Sequence, residues 1–117
     1  MVGLMNTGQS CTAGTCILVP ESRLEEAKLS VITYHDDEER IAIANDSEYG
    51  LQAYICGEDI ERAYRVANNL IAGRVTINEF LDDPTVPFGG FKLSGIGREF
   101  GLAGLESYLE TRVILSR

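Results

Sequence analysis

The sequence has no tryptophan, a single histidine, three prolines and three cysteines. Each scarcity excludes something. His35 is the single histidine and lies among acidic residues, with no second histidine to join it, so a metal site has little support. Cys11, Cys16 and Cys56 form no C-x-x-C pair and are too few for a disulfide framework. Their odd number leaves at least one free thiol, which fits a reducing compartment. No apolar run approaches the ~20 residues of a membrane span. The N-terminus lacks the basic-then-apolar layout of a signal peptide, so a cytoplasmic location is expected. Basic residues are also sparse: 10 Lys+Arg against 18 Asp+Glu leave a net charge of −8. That balance disfavours nucleic acid or an anionic membrane as partner.

What remains is the make-up of a soluble globular protein, 44% hydrophobic and 24% charged, expected as one domain over residues 1–117. Hydrophobic patterning supplies the elements. Cys16-Ile17-Leu18-Val19, closed by Pro20, reads as a buried strand, and residues 21–28 favour a short helix. Leu29 to Tyr34 is a β-branched and aromatic strand. Asp36 and Asp37 offer N-caps to a helix with Glu38 and Glu39 in its first turn, ended by Asn45-Asp46-Ser47. Leu51 to Cys56 is a third strand, which places Cys56 in the core.

Ile60, Ala63, Tyr64, Ala67 and Ile71 predict an amphipathic helix with Gly73 as its left-handed C-terminal residue. Residues 74–78 then make a fourth strand. Strand–helix–strand alternation with short links implies an α/β fold, a mostly parallel sheet flanked by helices. Glycines crowd residues 89–104. Gly95-x-Gly97 lacks the third glycine of a dinucleotide turn, and Gly90-Phe91-Lys92 is not a P-loop. So many glycines imply backbone passing close to a ligand, another segment or a second chain. A helix over about 98–105 follows, with Arg98-Glu99 at its start as an ion pair or cap. A last edge strand is expected over 108–115, from Tyr108 through Leu115.

The candidate chemistry lies in Asn6-Thr7-Gly8-Gln9-Ser10-Cys11. A thiol on a tight glycine-containing turn beside a strand can stand at a cleft edge as a nucleophile, provided its proton is removed or its pKa lowered. The competing reading is an inert buried cysteine.

Asn-x-Gly-Gln-x-Cys followed by Ala13-Gly14-Thr15 and an apolar strand resembles the nucleophile segment of the NAD(P)-dependent aldehyde dehydrogenases. Ala42-Ile43-Ala44-Asn45-Asp46, Tyr49-Gly50-Leu51, Ala72-Gly73, Ile77-Asn78, Pro87-Phe88-Gly89-Gly90 and Lys92-x-Ser94-Gly95-Ile96-Gly97-Arg98-Glu99 extend the resemblance along the C-terminal catalytic domain. It implies Cys11 as nucleophile, with Asn6, Gln9, Asn78 and Phe88 around the substrate and oxyanion. For Asn78 and the Gly89-Gly90 turn, a strand-end cap and a tight turn are the competing structural readings.

The family reaction oxidises an aldehyde to a carboxylic acid through a cysteine thiohemiacetal that passes hydride to NAD(P)+. Here the cofactor domain, the general-base glutamate and the oxyanion asparagine have no counterpart. About ten residues join Val19 to Leu29, where the family has a long segment with its ribose-contacting glutamate. A truncated, internally deleted piece is therefore expected: no cofactor of its own, no hydride transfer alone, and at most weak esterase-like chemistry at Cys11. The alternative is a non-catalytic interaction module, a homo-oligomer joined through residues 108–115 or by strand exchange.

Overall fold

The computed structural model describes residues 17–20, 22 and 31–117. The helix expected over 21–28 falls outside them, apart from Ser22. Strand β1 (Ile17–Pro20) pairs in parallel with β2 (Val31–Tyr34), and helix α1 (Asp37–Asn45) follows. Asp36 is the N-cap, its carboxylate accepting from the Glu39 N–H, and three acidic residues fill the first turn as patterned.

A two-residue strand β3 (Tyr49–Gly50) precedes β4 (Gln52–Ile55), helix α2 (Ile60–Ala67) and β5 (Arg74–Ile77). β4 and β5 pair in parallel with α2 as the crossover, the βαβ unit that the alternation implies. β6 (Phe91–Lys92) returns antiparallel to β3, and α3 (Gly101–Glu106) follows. The chain is α/β.

Several expectations change. The mostly parallel strand pairing is divided, among the described residues, into three two-stranded ladders, two of them parallel. A bend at Leu51 separates β3 from β4, and β6 takes up β3. The amphipathic helix stops at Ala67 rather than running to Ile71, because Asn69 turns its carboxamide back onto the Arg65 carbonyl. Its buried face becomes Ala63 and Val66, while Ile60 and Tyr64 lie exposed.

Gly73 is accordingly not a helix cap. It opens β5 where the Gly89 carbonyl crosses: a Cβ there would sit 1.6 Å from that oxygen. Finally, residues 108–115 form no strand and are exposed throughout. An edge strand needs a neighbour to hydrogen-bond, and no described segment lies alongside it. α3 also begins later than expected, leaving Arg98 and Glu99 outside it.

The core is small. Ile55, Ala63 and Val66 cluster between the β4–β5 ladder and α2, with Ile41, Leu70, Val75 and Ile77 against them, and Tyr34 is buried separately. Burying these side chains is the main apolar stabilisation of the βαβ unit. Cys56, expected in the core, is exposed just past β4. No helix among the described residues is long and apolar enough to cross a membrane.

Candidate functional site

Of the five expected site residues, Asn6, Gln9 and Cys11 lie outside the described residues. Asn78 and Phe88 lie at the two ends of a loop that leaves β5, and each is tied down. Asn78 has a φ of 56°, a left-handed conformation that asparagine tolerates better than most residues. Its carboxamide grips the backbone of Gly57: Oδ1 accepts the Gly57 N–H at 2.7 Å and Nδ2 donates to the Gly57 carbonyl at 2.6 Å. The Asn78 N–H continues the ladder to the Ile55 carbonyl. With both amide atoms engaged, this side chain clamps the end of the β4–β5 ladder.

Phe88 is half-buried. Its backbone exchanges two hydrogen bonds with Glu99, at 2.8 and 2.7 Å. Its ring lies 6.4 Å from that of Phe100, and the Arg74 guanidinium stands 5.0 Å from its centroid.

Beside Phe88 opens a cleft of about 400 Å³, lined by Leu51, Phe88, Gly89, Gly90, Ser94, Gly95, Gly97, Arg98 and Glu99. The glycines let backbone pack on backbone. At Gly89 a Cβ would run into the Gly97 carbonyl oxygen. Arg98 and Glu99, expected to act as an ion pair or cap, do neither. The Arg98 Nη1 donates to the carbonyls of Gly90 and Gly97, and the guanidinium stacks over Phe91. Ser94 accepts the Gly50 N–H through its hydroxyl, closing the cleft onto β3.

These glycines do not build a pyrophosphate cradle. Gly95 and Gly97 follow the short antiparallel β6, and α3 starts only at Gly101, after Phe100 at φ 61° with no side-chain cap. Among the described residues no cluster of His, Cys, Asp and Glu is suited to a metal ion.

Sequence reasoning missed the polar face of the β4–β5 ladder. Gln52 and Arg74 are register partners, as are Tyr54 and Thr76. All four therefore share the face opposite Ala53, Ile55, Val75 and Ile77. The Gln52 Nε2 donates to the Tyr54 hydroxyl at 2.7 Å. The Gln52 Oε1, Arg74 Nη2 and Thr76 Oγ1 are buried without a hydrogen-bond partner. The signal was present in the alternation Gln52-x-Tyr54 and Arg74-x-Thr76.

Charge elsewhere is fixed by geometry. Arg62 holds Asp37 with Nε and Nη2 at 2.8 Å each, and the Arg40 Nη2 reaches the same carboxylate at 2.6 Å. Hydrogen bonding from Arg62 holds the Asp37 carboxyl below its usual range, and Asp37 in turn raises Arg62. Asp83 is lowered by its bonds to the Thr85 hydroxyl and N–H.

The aldehyde dehydrogenase family profile matches residues 29–114. A putative aldehyde dehydrogenase of Staphylococcus haemolyticus is 52% identical over 85 residues, 73% of this chain and 18% of that protein. One from Staphylococcus aureus is 51% identical over 86 residues, 74% of this chain and 18% of the relative. Among solved structures, betaine aldehyde dehydrogenase from Staphylococcus aureus, in complex with NAD+, superposes with a TM-score of 0.65 at 47% identity. It covers 68% of this chain and 16% of that one. Aldehyde dehydrogenase C from Pseudomonas syringae, a mutant complexed with NAD+ and octanal, gives 0.69 at 49% identity, covering 72% and 17%. The chain thus spans less than a fifth of the length of these relatives. The match starts at Leu29, beyond the Cys11 turn, and takes in Asn78, Phe88 and the glycine-lined cleft. This chain belongs to the aldehyde dehydrogenase family.

Proposed function

We propose that the chain carries the substrate-side portion of an aldehyde-oxidising catalytic domain and works by association through its C-terminal third, rather than as a self-sufficient dehydrogenase. The observation that carries this reading is the division of the surface. Residues 80–117 expose large apolar side chains, among them Leu93, Ile96, Leu102, Tyr108, Ile114 and Leu115, with Ile96 fully exposed. The same stretch holds four Lys or Arg against five Asp or Glu, so nearly all of the net charge of −8 lies in the first two-thirds of the chain. An apolar, nearly neutral surface on an acidic protein favours burial against another polypeptide. A second copy is the simplest occupant, docked through residues 108–115 or by exchange of strands. Light scattering at micromolar concentration tests this: the parent is a dimer or larger, and Val113→Asp with Ile114→Asp is monomeric. A strictly monomeric parent overturns it.

A residual enzyme is the second reading, favoured by the intact Asn6-x-Gly8-Gln9-x-Cys11 motif. The Cys11 thiolate would attack an activated ester, forming a C–S bond as the C–O bond breaks. The alkoxide leaves and takes a proton from water, and hydrolysis of the thioester regenerates the thiol. Asn6 and Gln9 would lie beside the oxyanion, with the Cys11 N–H as one donor. In this reading Asn78 acts by holding its strand end, and Phe88 supplies an apolar wall.

NAD(P)+ supplies the hydride acceptor in the family, but the glycine cleft does not suit a dinucleotide, so no cofactor is assigned to this chain. A general base and a full oxyanion hole are each worth about a hundredfold or more, so acyl transfer by Cys11 without them would be slow. Intact-mass spectrometry after incubation with an activated ester tests this reading. It expects a single adduct that Cys11→Ala removes. Equal labelling of parent and variant overturns it.

A further inference from the structure

We infer that residues 79–83 form a strap that opens and closes over the polar face of the β4–β5 ladder. Among the described residues, two side-chain contacts hold the strap onto that face. Phe80 stacks on Tyr54 at 6.0 Å, and Asp82 reaches the Arg74 Nη1 at 3.4 Å from a side chain that is 71% exposed. The strap's ends, by contrast, are firmly fixed. Asn78 is clamped to Gly57 on one side, and on the other the Gly101 N–H donates to the Pro84 carbonyl. Asp83 spends its carboxylate within the loop, on Thr85.

The closed position carries a cost of its own. Three of the four orphaned buried side-chain atoms among the described residues belong to this face: Gln52 Oε1, Arg74 Nη2 and Thr76 Oγ1. A buried polar group without a partner is disfavoured relative to one that water can reach, whereas an apolar side chain of the same shape has no such penalty. Lifting Phe80 and Asp82 uncovers Tyr54 and Arg74 and admits water to the patch. Closure gains one aromatic stack and one long, exposed ion pair in return, and exposed ion pairs contribute little. The strap is therefore balanced between its two positions.

Limited chymotrypsin digestion of the full chain measures the opening directly, because Phe80 and Leu81 are cleavage sites within the strap. Tyr64, in the middle of α2, reports global unfolding in the same digest. Thr76→Val removes an orphaned hydroxyl without changing shape, and is expected to slow cleavage after Phe80 and Leu81 roughly fivefold or more. Asp82→Asn removes the ion pair and is expected to speed it. Neither changes the rate at Tyr64. If Thr76→Val leaves strap cleavage unchanged or faster, or if both sites slow in the same proportion, the strap does not open as a unit and the inference fails. Neither outcome depends on Cys11, and repeating the digest on the Val113→Asp/Ile114→Asp chain separates strap opening from association, so the proposed function stands or falls separately.

Discussion

Asn78 combines two roles that are ordinarily separate. Its left-handed φ of 56° suits glycine, yet its side chain makes a paired clamp on Gly57 that glycine cannot make. The two contributions can be separated by substitution. Asn78→Gly keeps the conformation and loses the clamp, whereas Asn78→Ala loses the clamp and strains the backbone. The alanine variant should be about 1–2 kcal/mol less stable than the glycine variant in urea unfolding, the cost of a Cβ in that region. Equal midpoints would show that the clamp alone matters. The resemblance singled out Asn78 and the bland alternative was a strand-end cap; the geometry displays the cap. Cys56 teaches the opposite lesson. Its strand was legible, but the strand ends at Ile55, and one residue further the chain turns outward.

At the scale of elements, α1 and α2 are stabilised by different physics. α2 buries Ala63 and Val66, so Val66→Ala should cost about 2 kcal/mol of stability, measured by thermal or urea unfolding. α1 buries no residue and is held by polar ties at both ends. Arg62 and Arg40 grip Asp37 at its start. At its finish the Lys92 Nζ donates to the carbonyls of Asn45 and Ser47, and Asn45 bonds Asn69 and Ile71. The Asp37 tie depends on pH.

Its folded pKa is lowered by Arg62 from the ordinary 3.8, so the unfolded chain binds the proton more readily. The stabilisation is therefore present above pH 3.8 and lost as pH falls through the lower folded value. Solvent exposure of the pair keeps the effect modest. Asp37→Asn should lower the melting temperature near pH 6 and change it little near pH 2. A variant that melts like the parent at pH 6 would show that the guanidinium tie carries no stability. The acidic first turn and the Asp36 cap could be read directly. The Arg62 clamp could not, since its partner is 25 residues away and only the packing of two helices brings them together.

At the scale of the molecule, the decisive feature among the described residues is how few side chains are buried and how much apolar surface is exposed, above all in residues 80–117. That imbalance underlies the expected oligomer and its disruption by charges at Val113 and Ile114. The join between β5 and the Gly89–Gly90 turn is a second point of vulnerability. Gly73→Ala would drive a methyl into the Gly89 carbonyl, parting the cleft-forming loop from the ladder. Proteolysis across residues 85–92 should then quicken while the α2 core persists. Unchanged protection would mean that the turn shifts without cost.

The resemblance of its motifs pointed to the family, while local physics determined the α/β class, the capped start of α1, the parallel β4–α2–β5 unit and the acidic balance. Periodicity, capping chemistry and motif identity are all properties of neighbouring residues. Tertiary structure decided what neighbours cannot express. It set the stop of α2 at Ala67, the capture of β3 by β6, the use of Gly73 as a crossing point and the unpaired state of residues 108–115. It also brought Gln52, Tyr54, Arg74 and Thr76 onto one face of the β4–β5 ladder, with Phe80 against Tyr54 and Asp82 against Arg74. Each of these depends on which distant backbone or side chain supplies, or withholds, a hydrogen-bond partner or a covering surface. Only the folded chain fixes that supply.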